Sequence, residues 1–388
     1  MNLTEESIED ALRAIGDGRI EDAIQILEPL THTKQDDPDP YVYLGIAYVQ
    51  AEKPELAADI LRQAQELCEE HCVLAQFLGR ALLSLGQLDE AEVELRKAVR
   101  LDPEAQEAWC DLSKVLVEQG NYREAVIVID QALPRFPADP ELRGTRALSL
   151  YRLGDYKRAS DEWALMHKQH PELMLATANY AYTLLLMGNN EGALPIIDKA
   201  IELDSSDYRS HIIKGLLYFN KENFIESEKS FQEALSSNPL SIESLSKMAI
   251  LTHKKGDESE STRYLEIAEK RIEEVPECWR GLCFAYSYLG QNEKYMDCLL
   301  RWTNRDPLAA APWIALYREY TKLGLTEKAK RALDKTATLR GYVTIHCSNC
   351  NAETELIVDE ISGFDSSEDR ICPECDDIIP MPSGFILT

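Results

Sequence analysis

Apolar residues recur every three or four positions over most of this sequence, as in Leu88, Ala91, Leu95 and Ala98. That spacing is the period of an amphipathic helix, not the alternation of a strand. The helical stretches are punctuated at a fixed interval. Stepping by 34 residues from Gly86 reaches Gly18, Gly120, Gly154, Gly188, Gly256, Gly290 and Gly324, with Glu52 and Glu222 as the two exceptions. Ten random positions would hold about half a glycine, so the period is genuine. Five residues beyond each of these positions lie Ala23, Ala57, Ala91, Ala125, Ala159, Ala193 and Ala329, with Ser227, Ser261 and Tyr295 as exceptions. Twelve further on stand Pro103, Pro137, Pro171, Pro239 and Pro307. The phase holds from residue 4 to residue 343 without an insertion.

Each position has a physical reading. A glycine just past a helix allows the left-handed conformation that closes its C-terminus. The alanine lets a second helix pack closely on the first, and the proline stops the second helix before the next pair. The pattern therefore predicts ten hairpins of two helices. No hairpin buries its apolar face alone, so neighbours must stack into a solenoid over residues 1–341.

The segments Trp109–Leu112–Leu116 with Gly120 and Ala125, Trp279–Leu282–Tyr286–Gly290 and Trp313–Leu316–Tyr320–Gly324 resemble the tetratricopeptide repeat (TPR). The resemblance covers about nine tenths of the chain. It implies an all-α fold, a right-handed superhelix of about ten hairpins. It also implies that the inner groove, lined by the first helix of each pair, receives a peptide or a helix of a protein partner.

After Gly341 the helical period stops. Tyr342–His346, Glu355–Val358 and Phe385–Leu387 read as short strands, and between them lie two C-x2-C pairs, Cys347 with Cys350 and Cys372 with Cys375. Two such pairs supply four thiolates for a tetrahedral site, so residues 342–388 read as a zinc ribbon holding one structural zinc ion (Zn2+). Iron in a rubredoxin-like site is the rival ligation. Four cysteines leave no open coordination position, which argues against a catalytic metal. A dithiol redox role would call for one pair in a βαβ frame that is lacking here. The ribbon could bind a partner, cap the solenoid, or do both.

Charge narrows the partners. The chain has a formal net charge of −27, and the acid is concentrated at its ends: residues 1–70 carry a net −12 and residues 344–388 a net −9. Phosphate backbones and anionic membranes would be repelled, so neither nucleic acid nor membrane insertion is expected. The acidic ends read as solubilising surface or as docking sites for a basic partner. No leader-like segment and no long apolar run occurs, and six of the ten cysteines are scattered among helical residues; both point to the cytoplasm. No nucleophile–base motif, phosphate loop or H-E-x-x-H pair is found, so enzymatic activity is not expected.

The grid also marks the inner face of the first helices. Toward the C-terminus these positions include Arg280, Phe284, Tyr288, Arg318 and Lys322, and nearer the middle Asn179, Tyr182, Arg209, Phe219 and Asn220. This aromatic and basic set suits an acidic or amphipathic segment of a partner, although several of its members could equally pack between helices. Chaperone-binding repeat proteins resemble one another in a carboxylate clamp built from three successive units. Asn179 and Arg209 occupy two suitable positions, but Gly144, Leu148 and Ile213 fill the others, so the clamp is incomplete.

The architecture, repeats followed by a four-cysteine module, is similar to the bacterial lipopolysaccharide assembly protein B family, whose N-terminal membrane helix has no counterpart in this sequence. That resemblance implies a regulatory adaptor of proteolysis. The sequence as a whole reads as a cytoplasmic protein–protein adaptor or scaffold, with an accessory subunit of an enzyme or protease complex, or a nucleic-acid-associated zinc protein, as the alternatives.

Overall fold

The computed structural model describes residues 3–33, 35–68, 71–272, 274, 279–340, 342–346, 350, 353–357, 370–371, 378–379 and 385–386. Among these residues are twenty α-helices and five short strands. The chain divides into two compact units, 1–146 and 147–388. The first holds α1 (Leu3–Gly16), α2 (Ile20–Thr33), α3 (Pro38–Gln50), α4 (Pro54–Leu67), α5 (Cys72–Ser84), α6 (Leu88–Leu101), α7 (Gln106–Glu118) and α8 (Tyr122–Ala132). The division falls within α9 (Pro140–Arg152). The second unit continues with α10 (Tyr156–Gln169), α11 (Met174–Leu186), α12 (Asn190–Leu203), α13 (Tyr208–Asn220), α14 (Phe224–Ser237) and α15 (Ile242–Lys254). It is completed by α16 (Glu258–Ile272), α17 (Trp279–Tyr288), α18 (Asn292–Arg305), α19 (Ala310–Lys322) and α20 (Thr326–Arg340).

The 34-residue period has a direct backbone cause. All ten grid positions have positive φ: the eight glycines between 69° and 82°, and Glu52 and Glu222 both at 57°. At each the chain closes the first helix of a hairpin. Gly86 N–H donates to Leu83 O and Gln87 N–H to Leu82 O, both at 2.9 Å. Glu222 and Asn223 repeat the pair on Phe219 O and Tyr218 O at 3.0 Å. This is the Schellman closure, which satisfies carbonyls left over at a helix end. The two glutamates sit in the narrow left-handed well open to L-residues, while the glycines spread beyond it.

Helix-to-helix packing within a hairpin follows from a small residue facing a large one. A Cβ on Gly79 would stand 2.5 Å from Leu95 Cγ, and one on Gly215 would stand 2.8 Å from the Phe231 ring. Leu95 and Phe231 are fully buried. The alanine position is equally tight: Ala57, Ala91, Ala125, Ala159 and Ala193 have no exposed surface. Where serine replaces alanine, its hydroxyl finds a carbonyl of the preceding helix. Ser227 Oγ donates to Gly215 O at 2.9 Å and Ser261 Oγ to Ala249 O at 2.8 Å. A buried hydroxyl without such a partner would be costly.

Beyond α20 lie β1 (Tyr342–His346), β2 (Glu353–Ile357), β3 (Arg370–Ile371), β4 (Ile378–Ile379) and β5 (Phe385–Ile386). One sheet has the order β2-β1-β5 and the other pairs β3 with β4, all antiparallel. His346 pairs with Glu353 and Ile371 with Ile378. Of the four expected metal ligands, Cys347, Cys372 and Cys375 lie outside the described residues. Among the described residues no helix is long and apolar enough to cross a membrane.

Candidate functional site in the second unit

The second unit encloses a cavity of about 1400 Å³. Its wall is built by successive first helices: Tyr182 and Leu186 from α11, Leu216 and Asn220 from α13, Glu243 and Lys247 from α15, Arg280 and Phe284 from α17, and Ile314 and Arg318 from α19. Stacked hairpins present the same helical face repeatedly, so a stripe of side chains 34 residues apart becomes one continuous surface. The opposite side is supplied by Asp155, Tyr156 and Arg158 at the start of α10, with Trp302 of α18 and Arg340 of α20.

Polar contacts tie these sides together. Arg280 Nη2 donates to the Tyr156 hydroxyl at 2.8 Å, and Arg152 Nη2 to Asp306 Oδ2 at the same distance. Tyr151 bridges Tyr156 and Tyr182, with ring centroids 5.8 and 5.9 Å away. Burial pushes the Tyr182 phenol well above its usual range, so it faces the guanidinium as a neutral dipole. Arg280 Nη1 is shielded from solvent and has no hydrogen-bond partner among the described residues.

Lys247 is 5% exposed. Its ammonium lies 3.4 Å from the centroid of the Phe284 ring and 5.2 Å from that of Phe219, a cation–π arrangement. Glu243, one turn earlier on α15, stands 4.0 Å away. Burial depresses the Lys247 pKa to about 8; Glu243 pulls it up and Arg280 pushes it further down. The cavity is lined by six cationic side chains (Lys157, Arg158, Lys247, Arg280, Arg318 and Arg340) and three carboxylates (Asp155, Asp161 and Glu243). In a chain of net charge −27 this is a local reversal of sign.

The residues named from sequence divide into two groups. Tyr182, Asn220, Arg280, Phe284 and Arg318 line the cavity. Phe219 is 8% exposed and packs edge-on against Phe284 and Tyr288, while Tyr288 is exposed beside them. Asn179, Arg209, Phe219, Tyr288 and Lys322 do not line it. Arg209 folds back on Asp207, the N-cap of α13, at 3.0 Å, and Lys322 pairs with Glu319 at 2.7 Å. Lys247 went unnamed, although it stands two grid steps after Asn179 and one after Ile213, so the same period points to it. Tyr156 belongs to a second helix, where the period gives no reason to look.

Burial, together with the neighbouring Cys298, drives the Cys283 thiol upward, away from the thiolate. No cluster of three or more metal-ligating side chains occurs among the described residues. Aromatic faces and cations of this kind bind and orient a ligand.

Residues 82–148 and 208–239 match tetratricopeptide repeat models. The TPR repeat-containing protein YpiA of Bacillus subtilis is 23% identical over 194 residues, which is 50% of this chain and 46% of that protein. U-box domain-containing protein 70 of Oryza sativa subsp. japonica is 26% identical over 156 residues, 40% of this chain and 18% of that protein. The matched segments thus span less than half the length of these relatives. The crystal structure of the C-terminal part of a TPR repeat-containing protein from Cytophaga hutchinsonii superposes with a TM-score of 0.51 at 15% identity, covering 60% of this chain and 95% of that one. Sequence match identifies residues 82–148 and 208–239 as tetratricopeptide repeats, and the other helical hairpins share their 34-residue period, their helix closure and the all-helical fold.

Proposed function

We propose that this chain is a non-catalytic adaptor that holds a segment of a partner protein in the cavity of its second unit. The observation that carries the proposal is the cavity wall: five consecutive first helices supply it, and it combines aromatic faces with an excess of cations in an otherwise acidic chain. Concave helical surfaces of this kind suit an extended or helical peptide. The cation excess favours an acidic segment and accelerates its encounter, an effect that salt should weaken.

A test is to replace Phe284, which is 41% exposed, with a photoreactive benzoylphenylalanine in the full chain. Phe77 in α5 of the first unit serves as control. Cross-links from position 284 should map by mass spectrometry to one contiguous segment of a partner and be suppressed by a synthetic peptide of that segment. Equal yields from both positions, or products scattered over many unrelated sequences, would defeat the proposal.

The proposal includes one structural zinc ion on Cys347, Cys350, Cys372 and Cys375. Its support is the placement of the cysteines relative to the strands. Six residues, 347–352, join β1 to β2, and six, 372–377, join β3 to β4. In both stretches the cysteines stand first and fourth. Two links between paired strands, each with a C-x2-C pair in its sequence, suit a tetrahedral thiolate site, and zinc there would contribute to folding of the module. The narrower role of regulatory adaptor of an enzyme or protease complex rests on the architectural resemblance, and its placement in the cytoplasm on the scattered, helix-borne cysteines.

A further inference from the structure

We infer that the Lys247 amine is a covalent site for an aromatic aldehyde, which it takes up as an imine at the wall of the cavity. Among the described residues Lys247 is the only buried lysine. Its Nζ lies over the rings of Phe284 and Phe219 and makes no hydrogen bond among the described residues; Glu243 Oε1 stands 4.0 Å away. The charged groups that act on it are Glu243 on its own helix and Arg280 on α17. An amine desolvated by apolar walls, or held beside another cation, keeps a lone pair free to attack carbonyl carbon, and Lys247 has both features.

The neighbouring carboxylate is seated for proton transfer. Gly281 stands one 34-residue step after Lys247, and a Cβ on it would collide with Glu243 Oε2. Glycine at that step of α17 makes room for the Glu243 side chain, whose other oxygen is the one near Lys247. The first unit has no such arrangement. There the same step of the grid holds Tyr43, Phe77 and Asp111, and Asp111 is matched by Arg80 at 2.7 Å.

The reaction balances without an oxidant or a cofactor. The neutral Nζ adds to the carbonyl carbon, the π pair moves to oxygen, and one amine proton passes to that oxygen by way of Glu243. The carbinolamine C–O bond then breaks as the nitrogen lone pair forms C=N. The departing hydroxyl takes the last amine proton by the same route and leaves as water. Protonated, the imine is a flat cation that lies on the rings as the ammonium did. An aryl group extends that plane. Phe284, 41% exposed at the cavity wall, offers a face on which it stacks.

To test this, the full chain is treated at pH 7 with benzaldehyde and, separately, with cyclohexanecarbaldehyde, each with cyanoborohydride to fix the imine as a secondary amine. Peptide mapping by mass spectrometry then gives a labelling rate for each lysine. A pKa of about 8 against 10.5 leaves roughly 300-fold more neutral amine at pH 7, and burial and weaker basicity offset part of it. Lys247 should therefore react with benzaldehyde about tenfold faster than the exposed Lys221 and Lys229, and lose that advantage in urea. The saturated ring should show little of it, and Phe284→Leu should bring the two aldehydes level at Lys247. Glu243→Gln should slow labelling of Lys247 about tenfold and leave Lys221 unchanged. A merely electrostatic Glu243 would act in the opposite sense, because it holds the Lys247 pKa up. The comparison of lysines within the parent chain needs no variant, so it decides the matter even if a substitution impairs folding. Labelling of Lys247 no faster than that of Lys221, an advantage that persists in urea, or faster labelling in Glu243→Gln would overturn the inference. The inference does not depend on the cavity holding a partner segment: failure of the cross-linking at position 284 would sink that reading and leave the reactive amine standing.

Discussion

Replacing Glu222 with glycine should make the protein more stable, although a charged surface side chain is lost and nothing is gained in contact. Glu222 holds φ at 57° to close α13, and its side chain is exposed with no hydrogen bond or ion pair among the described residues. A left-handed L-residue costs about 1–2 kcal/mol, whereas glycine gives back roughly 0.5–1 kcal/mol in chain entropy on folding. The net expectation is a gain of about 0.5–1 kcal/mol, and the same at Glu52. Gly86→Ala is the converse. A Cβ there meets nothing within 4 Å, so only the backbone conformation, φ 70°, is perturbed. It should lose about 0.5–1 kcal/mol by the same arithmetic. Urea unfolding followed by circular dichroism measures both, with midpoints compared at fixed slope because stacked repeats need not unfold in one step. A Glu222→Gly protein no more stable than the parent, beside a Gly86→Ala protein that loses nothing, would show that left-handed closure does not set the period.

Gly215→Ala should destabilise by about 1–3 kcal/mol, because the new methyl meets the Phe231 ring at 2.8 Å, and Phe231→Leu in the same chain should recover part of the loss in a melting experiment. Lys247 gives a pH signature. With its pKa depressed to about 8, the unfolded chain binds more protons than the folded one between pH 8 and the ordinary lysine value of 10.5. Its contribution to stability therefore rises with pH across that window, by up to about 3 kcal/mol, and Lys247→Met should abolish the rise and raise stability at neutral pH. A steeper loss of stability above pH 8 in the parent than in the variant would contradict the assignment. Elemental analysis should find one zinc per chain, falling toward zero in Cys372→Ser; a metal-free chain with the module folded would refute the zinc site.

The period carried most of the fold into view because it is written in residues whose roles are local. A glycine at positive φ and an alanine under a neighbouring helix need no partner beyond their own hairpin. Glu52 and Glu222 hold the same backbone conformation as the glycines, although in the sequence they stand out only as exceptions to the pattern. The cavity was half legible. Arg280 and Phe284 could be named since inner-face positions repeat, but periodicity does not say which cation a local carboxylate captures. Asp207 takes Arg209 as it caps α13, and Glu319 takes Lys322 one turn away. Tyr156 was out of reach, as its contact with Arg280 joins residues 124 apart through the curvature of stacked hairpins. That curvature is the sum of many small packing angles and is not encoded at any one position.

The measurement that bears most directly on the account is hydrogen exchange of the full chain with and without a selected acidic peptide. Bound peptide should slow exchange in α11, α13, α15, α17 and α19, the helices that wall the cavity, and leave α1 to α8 unchanged. Protection confined to the first unit, or no protection at saturating peptide, would contradict it.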